Sequence, residues 1–277
     1  MRVGYLGPPG TFSEEALMAA PGAAALERVP LPTVYETVMA VHRGEVDRAI
    51  VPIENSLEGS VNATLDALAV ETEDVAIVGE AVHPIRHCLI ARRALALPEI
   101  EAVASHPQAN GQCARFIRDR LPQARVVPAS STADAVRMVA ESEEPWAALG
   151  NRLSAEIYGC EILRAGVEDV ADNETRFVWL APAGTAVDSH GPWKTSVVFW
   201  GVGSEAPGWL VRCLSEFAFR GVNLTKIESR PRKQGLGRYM FFVDLEGAEG
   251  DDPVAEAIAG LRAQTETVRV LGSYPAG

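Results

Sequence analysis

Through the first 180 residues, apolar runs of strand length alternate with stretches whose apolar side chains recur at helical spacing. MRVGYLG is followed by SEEALMAA, and the helical TVYETVMAVHRGE by the strand RAIVPIE. The helix VNATLDALAVE leads to two apolar runs, VAIVGEAV and RHCLIAR, and then to the strand EAVAS and the helix QANGQCARFIRDRL. ARVVPAS, TADAVRMVAES, WAALGN, RLSAEIYG and EILRA continue the alternation, strand first. Such a series predicts an α/β domain with a mostly parallel sheet. Thr11 with Glu14 and Thr33 with Glu36 have the spacing of capping boxes and mark two helix starts. One sheet of so many strands would be wide, so the extended stretch Val75 to Arg92 reads as a crossing between two smaller sheets, with the return near Asn173 to Pro182. The expectation is a domain over 1–182 in two lobes, about 1–80 with 168–182 and about 81–167, around a cleft.

APAGTAVDSHGPW, rich in Gly, Pro and small polar residues, reads as a linker. Beyond it KTSVVFWGV, PGWLVRCLSEFAFRG, VNLTKIESR, RYMFFVDLEG, DPVAEAIAGLRAQTE and TVRVLGSY follow the order β-α-β-β-α-β, the ferredoxin-like plan, over 194–275. An open sheet face and free edges there would favour a homo-oligomer.

Composition narrows the partners. Residues 186–277 carry 10 basic and 11 acidic side chains, leaving 15 and 26 in residues 1–185, so the N-terminal part is strongly acidic. Nucleic acid and anionic membrane are poor partners for it. No apolar stretch reaches the roughly 18 residues that span a bilayer, and a cytoplasmic protein is expected. Cys88, Cys113, Cys160 and Cys213 form no CxxC pair and sit in apolar segments, as reduced core residues would. His83, His87 and His106 have no metal-ligand spacing, and neither metal nor cofactor is expected.

Three polar loops fall at strand ends, where α/β sheets place their ligands. Gly7 to Ser13 (GPPGTFS) joins a strand to a helix start, whose free N–H groups favour anions, although an ordinary turn with a Thr cap explains it equally well. Glu54 to Ser60 (ENSLEGS) and Ser105 to Gln108 (SHPQ), with Gln112 one turn further on, are the second and third; each alone is more often helix capping than chemistry. In Asp172 to Phe177 (DNETRF), Thr175 and Arg176 of an extended chain point to opposite faces, so one can face the cleft while the other braces it.

The strings VGYLGPPGTFSEEA, VPIENSLEGSV, SHPQANGQC and NETRF, in this order, resemble those of prephenate dehydratases, and GVNLTKIESRP resembles the phenylalanine-binding segment of their ACT regulatory domain. The resemblance covers nearly the whole chain. It implies a two-lobed, periplasmic-binding-protein-like catalytic domain, decarboxylative dehydration of prephenate to phenylpyruvate, a homo-dimer or homo-tetramer, and L-phenylalanine as allosteric effector. By motif it implies Thr175 as the catalytic hydroxyl, with Asn55, Ser105 and Gln112 around the substrate and Gly10, Thr11, Ser13, Ser56, Arg176 and Phe177 binding it. It implies an effector site at Gly208, Trp209, Leu210, Asn223, Leu224, Glu228, Ser229, Arg230 and Pro231. The family's Gly-Ala-Leu-Val reads Gly-Trp-Leu-Val here, and an indole in place of a methyl adds volume where the effector is expected.

The chemistry suits such residues. Forming an aromatic ring drives the reaction, so the protein has only to hold a dicarboxylate and assist the leaving hydroxyl. Thr175 is expected to do so by donating a hydrogen bond that strengthens as charge develops, with Arg176 and the Gly10 to Ser13 helix start supplying positive potential. Arogenate as substrate, or a non-catalytic two-lobed amino-acid sensor, are the alternatives.

Overall fold

The computed structural model describes residues 1–187, 191–201 and 206–277. Asp188 to His190 of the expected linker, and Val202 at the end of KTSVVFWGV, lie outside them. By compactness the chain resolves into two units, one of Met1–Thr37, Ile50–Val61 and Val82–Phe177, the other of Val38–Ala49, Asn62–Ala81 and Val178–Gly277.

The N-terminal half holds two sheets. The first has the order β2 (Glu27–Leu31), β1 (Arg2–Leu6), β3 (Arg48–Asn55), β11 (Glu174–Pro182), β5 (Val75–Pro84), with β4 (Gly59–Ser60) hairpinned onto β3. Its helices are α1 (Phe12–Met18), α2 (Val34–His42) and α3 (Asn62–Asp66), and α3 continues as a π-helical turn, Ala67–Glu71. The second sheet runs β10 (Glu161–Ala165), β6 (Cys88–Ala91), β9 (Trp146–Gly150), β7 (Ala102–Ser105), β8 (Arg125–Pro128). The chain crosses from one sheet to the other along β5 and β6 and returns on β11, the two crossings expected from the sequence.

Alternation along β6 shows how the second sheet is held. Leu89 and Ala91 face a core with Cys113, Ile117 and Leu121, the last two from or beside α5 (Ala114–Arg120). Cys88 and Ile90 face the opposite core, with Ala135, Val136 and Val139 of α6 (Thr132–Glu141) and Ala155 of α7 (Arg152–Tyr158). The sheet is buried on both faces, yet it is mixed where a mostly parallel one was expected. β7 pairs parallel with β8 and β9, whereas β6 is antiparallel to β9 and β10, because β6 enters by direct continuation from β5 and not through a helical crossover.

The expected helix QANGQCARFIRDRL is two helices, α4 (Pro107–Gln112) and α5, broken at Cys113 with φ −115° and ψ 17°. The Asp169 carboxylate caps the second by accepting from Arg115 N and Phe116 N at 2.8 and 3.2 Å. The break leaves Gln112 at a helix end.

The C-terminal segment of the second unit has β12 (Trp193–Trp200), α8 (Trp209–Ala218), β13 (Leu224–Pro231), β14 (Tyr239–Glu246), α9 (Asp252–Gln264) and β15 (Thr267–Pro275), in the sheet order β13-β14-β12-β15, with neighbouring strands antiparallel. Trp209, Cys213 and Phe217 of α8 and Val254, Ala257, Ile258 and Leu261 of α9 pack on Val197, Phe199, Val243 and Leu245, so both helices lie on one face. The other face is covered by the same chain, not open as expected. A methyl at Gly272 would stand 2.1 Å from the Ile77 carbonyl oxygen, so β15 lies directly against β5. Lys194 pairs with buried Glu80 at 2.6 Å, and Arg269 donates to the Ala69 carbonyl of the π-helical turn at 2.6 Å.

Candidate functional site

A cavity of about 500 Å³ opens within the first unit, between the strand ends of the two sheets. Leu6, Phe12, Val34, Pro52, Val61, Ile85 and Phe177 give it apolar walls. Thr11, Ser13, Asn55, His87, His106, Gln108, Gln112, Ser130, Ser131, Thr132, Asn173 and Thr175 give it a polar rim. Among the described residues, no arginine or lysine lines it.

Helix starts face it instead. α1, α4 and α6 all begin at the cavity and bring their first N–H groups to it, with Glu14, Glu15 and Asp134 in the first turns of α1 and α6. Thr11, His106 and Ser131 are their caps, accepting from Glu14 N, Gln108 N and Asp134 N. Thr11 and Glu14 do not close the expected capping box, because the Glu14 carboxylate reaches one residue further, to Gly10 N at 2.7 Å, while its other oxygen pairs with Arg28 at 3.0 Å.

The polar centre is a chain of amides. Asn55 ends β3, and its Oδ1 accepts from Leu57 N and Glu58 N at 3.1 and 3.0 Å, which folds the ENSLEGS loop back on itself. Backbone N–H groups only donate, so the Asn55 oxygen is fixed toward the loop and its NH₂ faces Asn173 Oδ1 at 2.7 Å, Thr175 Oγ1 at 2.9 Å and the Glu174 carbonyl at 3.1 Å. Thr175 Oγ1 therefore accepts from Asn55, which leaves its own hydrogen to be donated. Asn173 Nδ2 donates to Gln112 Oε1 at 3.1 Å, and the same oxygen lies 3.0 Å from His87 Nε2.

The expected site residues divide accordingly. Thr11, Ser13, Asn55, Gln112, Thr175 and Phe177 line the cavity. Ser105 does not: it is fully buried, and its hydroxyl donates to the Leu149 carbonyl at 2.8 Å, tying β7 to β9. Gly10 does not, since its N–H is committed to Glu14, and its φ of +89° with Ser154 3.1 Å from a built Cβ makes it a tight-turn residue. Ser56 clamps the return loop, its N donating to the Glu174 carbonyl at 2.9 Å and its hydroxyl accepting from Glu174 N at 3.0 Å. Arg176 alternates to the face away from Thr175 and Phe177, where Glu54 lies 3.5 Å away. It braces the strand and is not a carboxylate ligand in the cavity. His87 and Asn173 were not among the expected site residues. Asn173 stood in the NETRF string, but nothing in the sequence brings His87 beside Gln112.

In the second unit the expected effector residues are partly occupied by the protein itself. Gly208, with φ +76°, caps α8, and Leu210 packs at the edge of the helix core. The Trp209 indole is turned inward between Phe199 and Phe241, with Nε1 donating to the Gln264 carbonyl at 2.8 Å. Its volume is absorbed by the core instead of projecting where an effector was expected. Asn223, Leu224, Glu228, Ser229, Arg230 and Pro231 lie at or along the edge strand β13. Arg230 holds Asp66 in a fork at 2.9 and 3.1 Å, joined by Lys233 at 2.9 Å. Burial pushes the Asp66 carboxyl up, but these two cations together outweigh it and hold it below the usual range.

The model of the prephenate dehydratase family matches residues 3–185. A prephenate dehydratase of Amycolatopsis methanolica is 41% identical over 99% of this chain and 88% of its own, and one of Mycobacteroides abscessus is 40% identical over 100% and 90%. Among solved structures, the prephenate dehydratase of Arthrobacter aurescens in complex with L-Phe superposes with a TM-score of 0.91 at 41% identity, covering 99% of this chain and 90% of that one. A structure described as GqqA, a novel type of quorum-quenching acylase, superposes with a TM-score of 0.88 at 32% identity, covering 100% and 98%.

Proposed function

This chain belongs to the prephenate dehydratase family of lyases, and from that premise we propose that its cavity is where prephenate is converted to phenylpyruvate, with Thr175 assisting the departing hydroxyl. The bond from the ring to its carboxyl carbon breaks, its electron pair enters the ring as the ring C–O bond breaks, and the departing hydroxide takes up one proton to leave as water. Carbon dioxide is the other product. The observation that carries this reading is the polarity of Thr175: its oxygen accepts from Asn55 at 2.9 Å, which leaves an O–H donor in a cavity large enough for the substrate. Ser13 and the three helix starts would hold the carboxylates, and Phe177 with the apolar walls the ring.

Thr175→Ala is expected to lower kcat by roughly 10² to 10³ with its melting temperature unchanged, as when one preorganised donor to a developing oxyanion is removed. Turnover of prephenate near the wild-type rate would refute the role. Assays with prephenate and arogenate side by side decide between those substrates. The likeness to GqqA raises amide hydrolysis as a second reading, but that chemistry asks for a base against the nucleophile. Thr175 has an amide donor there instead.

On the same reading, residues 1–182 form a two-lobed, periplasmic-binding-protein-like catalytic domain. Residues 194–275 form a ferredoxin-like ACT regulatory domain of a cytoplasmic homo-dimer or homo-tetramer, with L-phenylalanine as effector. The Arthrobacter complex supports the effector. A steady-state titration with phenylalanine tests it, and a rate that does not change at any concentration would remove the claim.

A further inference from the structure

We propose that His87 is a positioning residue for the dehydration, fixing through Gln112, Asn173 and Asn55 the direction in which the Thr175 hydroxyl donates. His87 lies between β5 and β6, 1% exposed, on the cavity wall. Its backbone N is held by Glu168 Oε2 at 2.9 Å, and Phe12 meets its ring edge-on at 5.4 Å.

The direction of every bond in the chain follows from its anchored end. Leu57 N and Glu58 N donate to Asn55 Oδ1, so the Asn55 NH₂ donates to Asn173 Oδ1 and Thr175 Oγ1. Asn173 must then donate to Gln112 Oε1, and that oxygen can only accept from His87, which makes the imidazole an Nε2–H tautomer. His87 Nδ1 is left as a bare lone pair, and it is buried with no hydrogen-bond partner among the described residues. Burial lowers the basicity of the ring, which keeps that lone pair unprotonated at neutral pH.

Without the His87 donor, Gln112 Oε1 keeps only Asn173, and the orientation of the Gln112 amide rests on that bond and on the longer 3.4 Å one from its NH₂ to Glu58 Oε1, which is less to stop it turning its NH₂ toward Asn173. A turned Gln112 favours a turned Asn173, which sets its NH₂ against the Asn55 NH₂ and so disturbs the donor that orients Thr175. His87 thus closes the far end of a chain whose near end is held by backbone.

The inference rests on the reading of Thr175 above, and the experiment separates the two. His87→Phe keeps a ring and loses both nitrogens; His87→Gln returns an amide N–H near the place of Nε2, and His87→Asn near that of Nδ1. In the full chain, His87→Phe should lower kcat about tenfold, the weight of one hydrogen bond, with KM within about twofold. His87→Gln should recover to within about threefold of wild type, and His87→Asn should not. In a Thr175→Ala background, His87→Phe should cost nothing further, because its route to the reaction has been removed. Wild-type kcat in His87→Phe, equal rates for the Gln and Asn variants, or a full tenfold loss repeated in the Thr175→Ala background would overturn the assignment. If Thr175→Ala itself turned over normally, the Thr175 reading would fall first and this one with it. Should His87→Phe not fold, the Gln and Asn pair decides.

Discussion

Asn55→Asp tests the polarity of the site with almost no change of shape. The new carboxylate still accepts from Leu57 N and Glu58 N, so the loop it folds is kept. Its other oxygen now faces Asn173 Oδ1 and Thr175 Oγ1 at the former 2.7 and 2.9 Å, with no hydrogen between. Thr175 relieves the repulsion by turning its own O–H toward the carboxylate, a charged hydrogen bond of about 1.5–3 kcal/mol that outweighs a neutral one to substrate of about 1 kcal/mol. The donor is thereby withdrawn from the cavity, and kcat should fall roughly 10² to 10³. The added negative charge should also raise KM, because the substrate is an anion. Asn173 relieves its side by flipping, which flips Gln112 and moves the His87 proton from Nε2 to Nδ1. Steady-state kinetics read the first effect, and ¹⁵N shifts of the His87 imidazole read the last. A variant with kcat within threefold of wild type and His87 still protonated at Nε2 would show that the amide chain does not set the Thr175 hydroxyl.

Gly272→Ala should destabilise the protein at or above the upper end of roughly 1–3 kcal/mol, since the methyl would meet a backbone carbonyl oxygen at 2.1 Å that cannot move aside alone; a urea midpoint equal to wild type would contradict the close packing of β15 on β5. The folded-state pKa of His87 lies below its ordinary 6.5, chiefly through burial. Below pH 6.5 the unfolded chain therefore binds a proton that the folded one refuses, and stability declines as pH falls, by up to about 1.4 kcal/mol per unit. Urea melts of His87→Gln should show a shallower slope between about pH 5 and 6.5 than wild type, and identical slopes would mean that His87 takes its proton freely in the folded state.

Much of this was legible in the chain. Strand and helix periods gave the two crossings and the β-α-β-β-α-β order because they record burial on one face or two, which is a local property. The alternation at Thr175, Arg176 and Phe177 told that neighbours face opposite ways, but not which of them faces the cavity, and Arg176, expected to bind the substrate, is the one turned to Glu54. What a string cannot show is which partner a polar group has already taken. Gly10, Ser56 and Ser105 are small polar or turn residues at strand ends, as ligand contacts would be, yet each is committed to a group 4, 118 and 44 positions away. Trp209 looked like an intrusion on an effector pocket because its indole was set against a shorter side chain, and only the core around Phe199 and Phe241 shows where that volume goes.

The absence of a guanidinium or ammonium on the cavity wall, among the described residues, looks at first like a defect in a site for a dianion. The reaction argues otherwise. The ring carboxylate must give up its charge to leave as carbon dioxide, so an ion pair holding it would stabilise the ground state more than the transition state and slow the step. Hydroxyls, amides and helix starts attract the anion with partial charges spread over several atoms, and they lose less when that charge moves into the ring and out toward the leaving hydroxyl. The group that gains is the one facing the charge as it arrives, which on the reading proposed above is the Thr175 O–H. An arginine introduced on the rim, as in Ser131→Arg, should therefore lower KM while lowering kcat, and a variant that raised both kcat and kcat/KM would show that the carboxylate is not where this reasoning puts it.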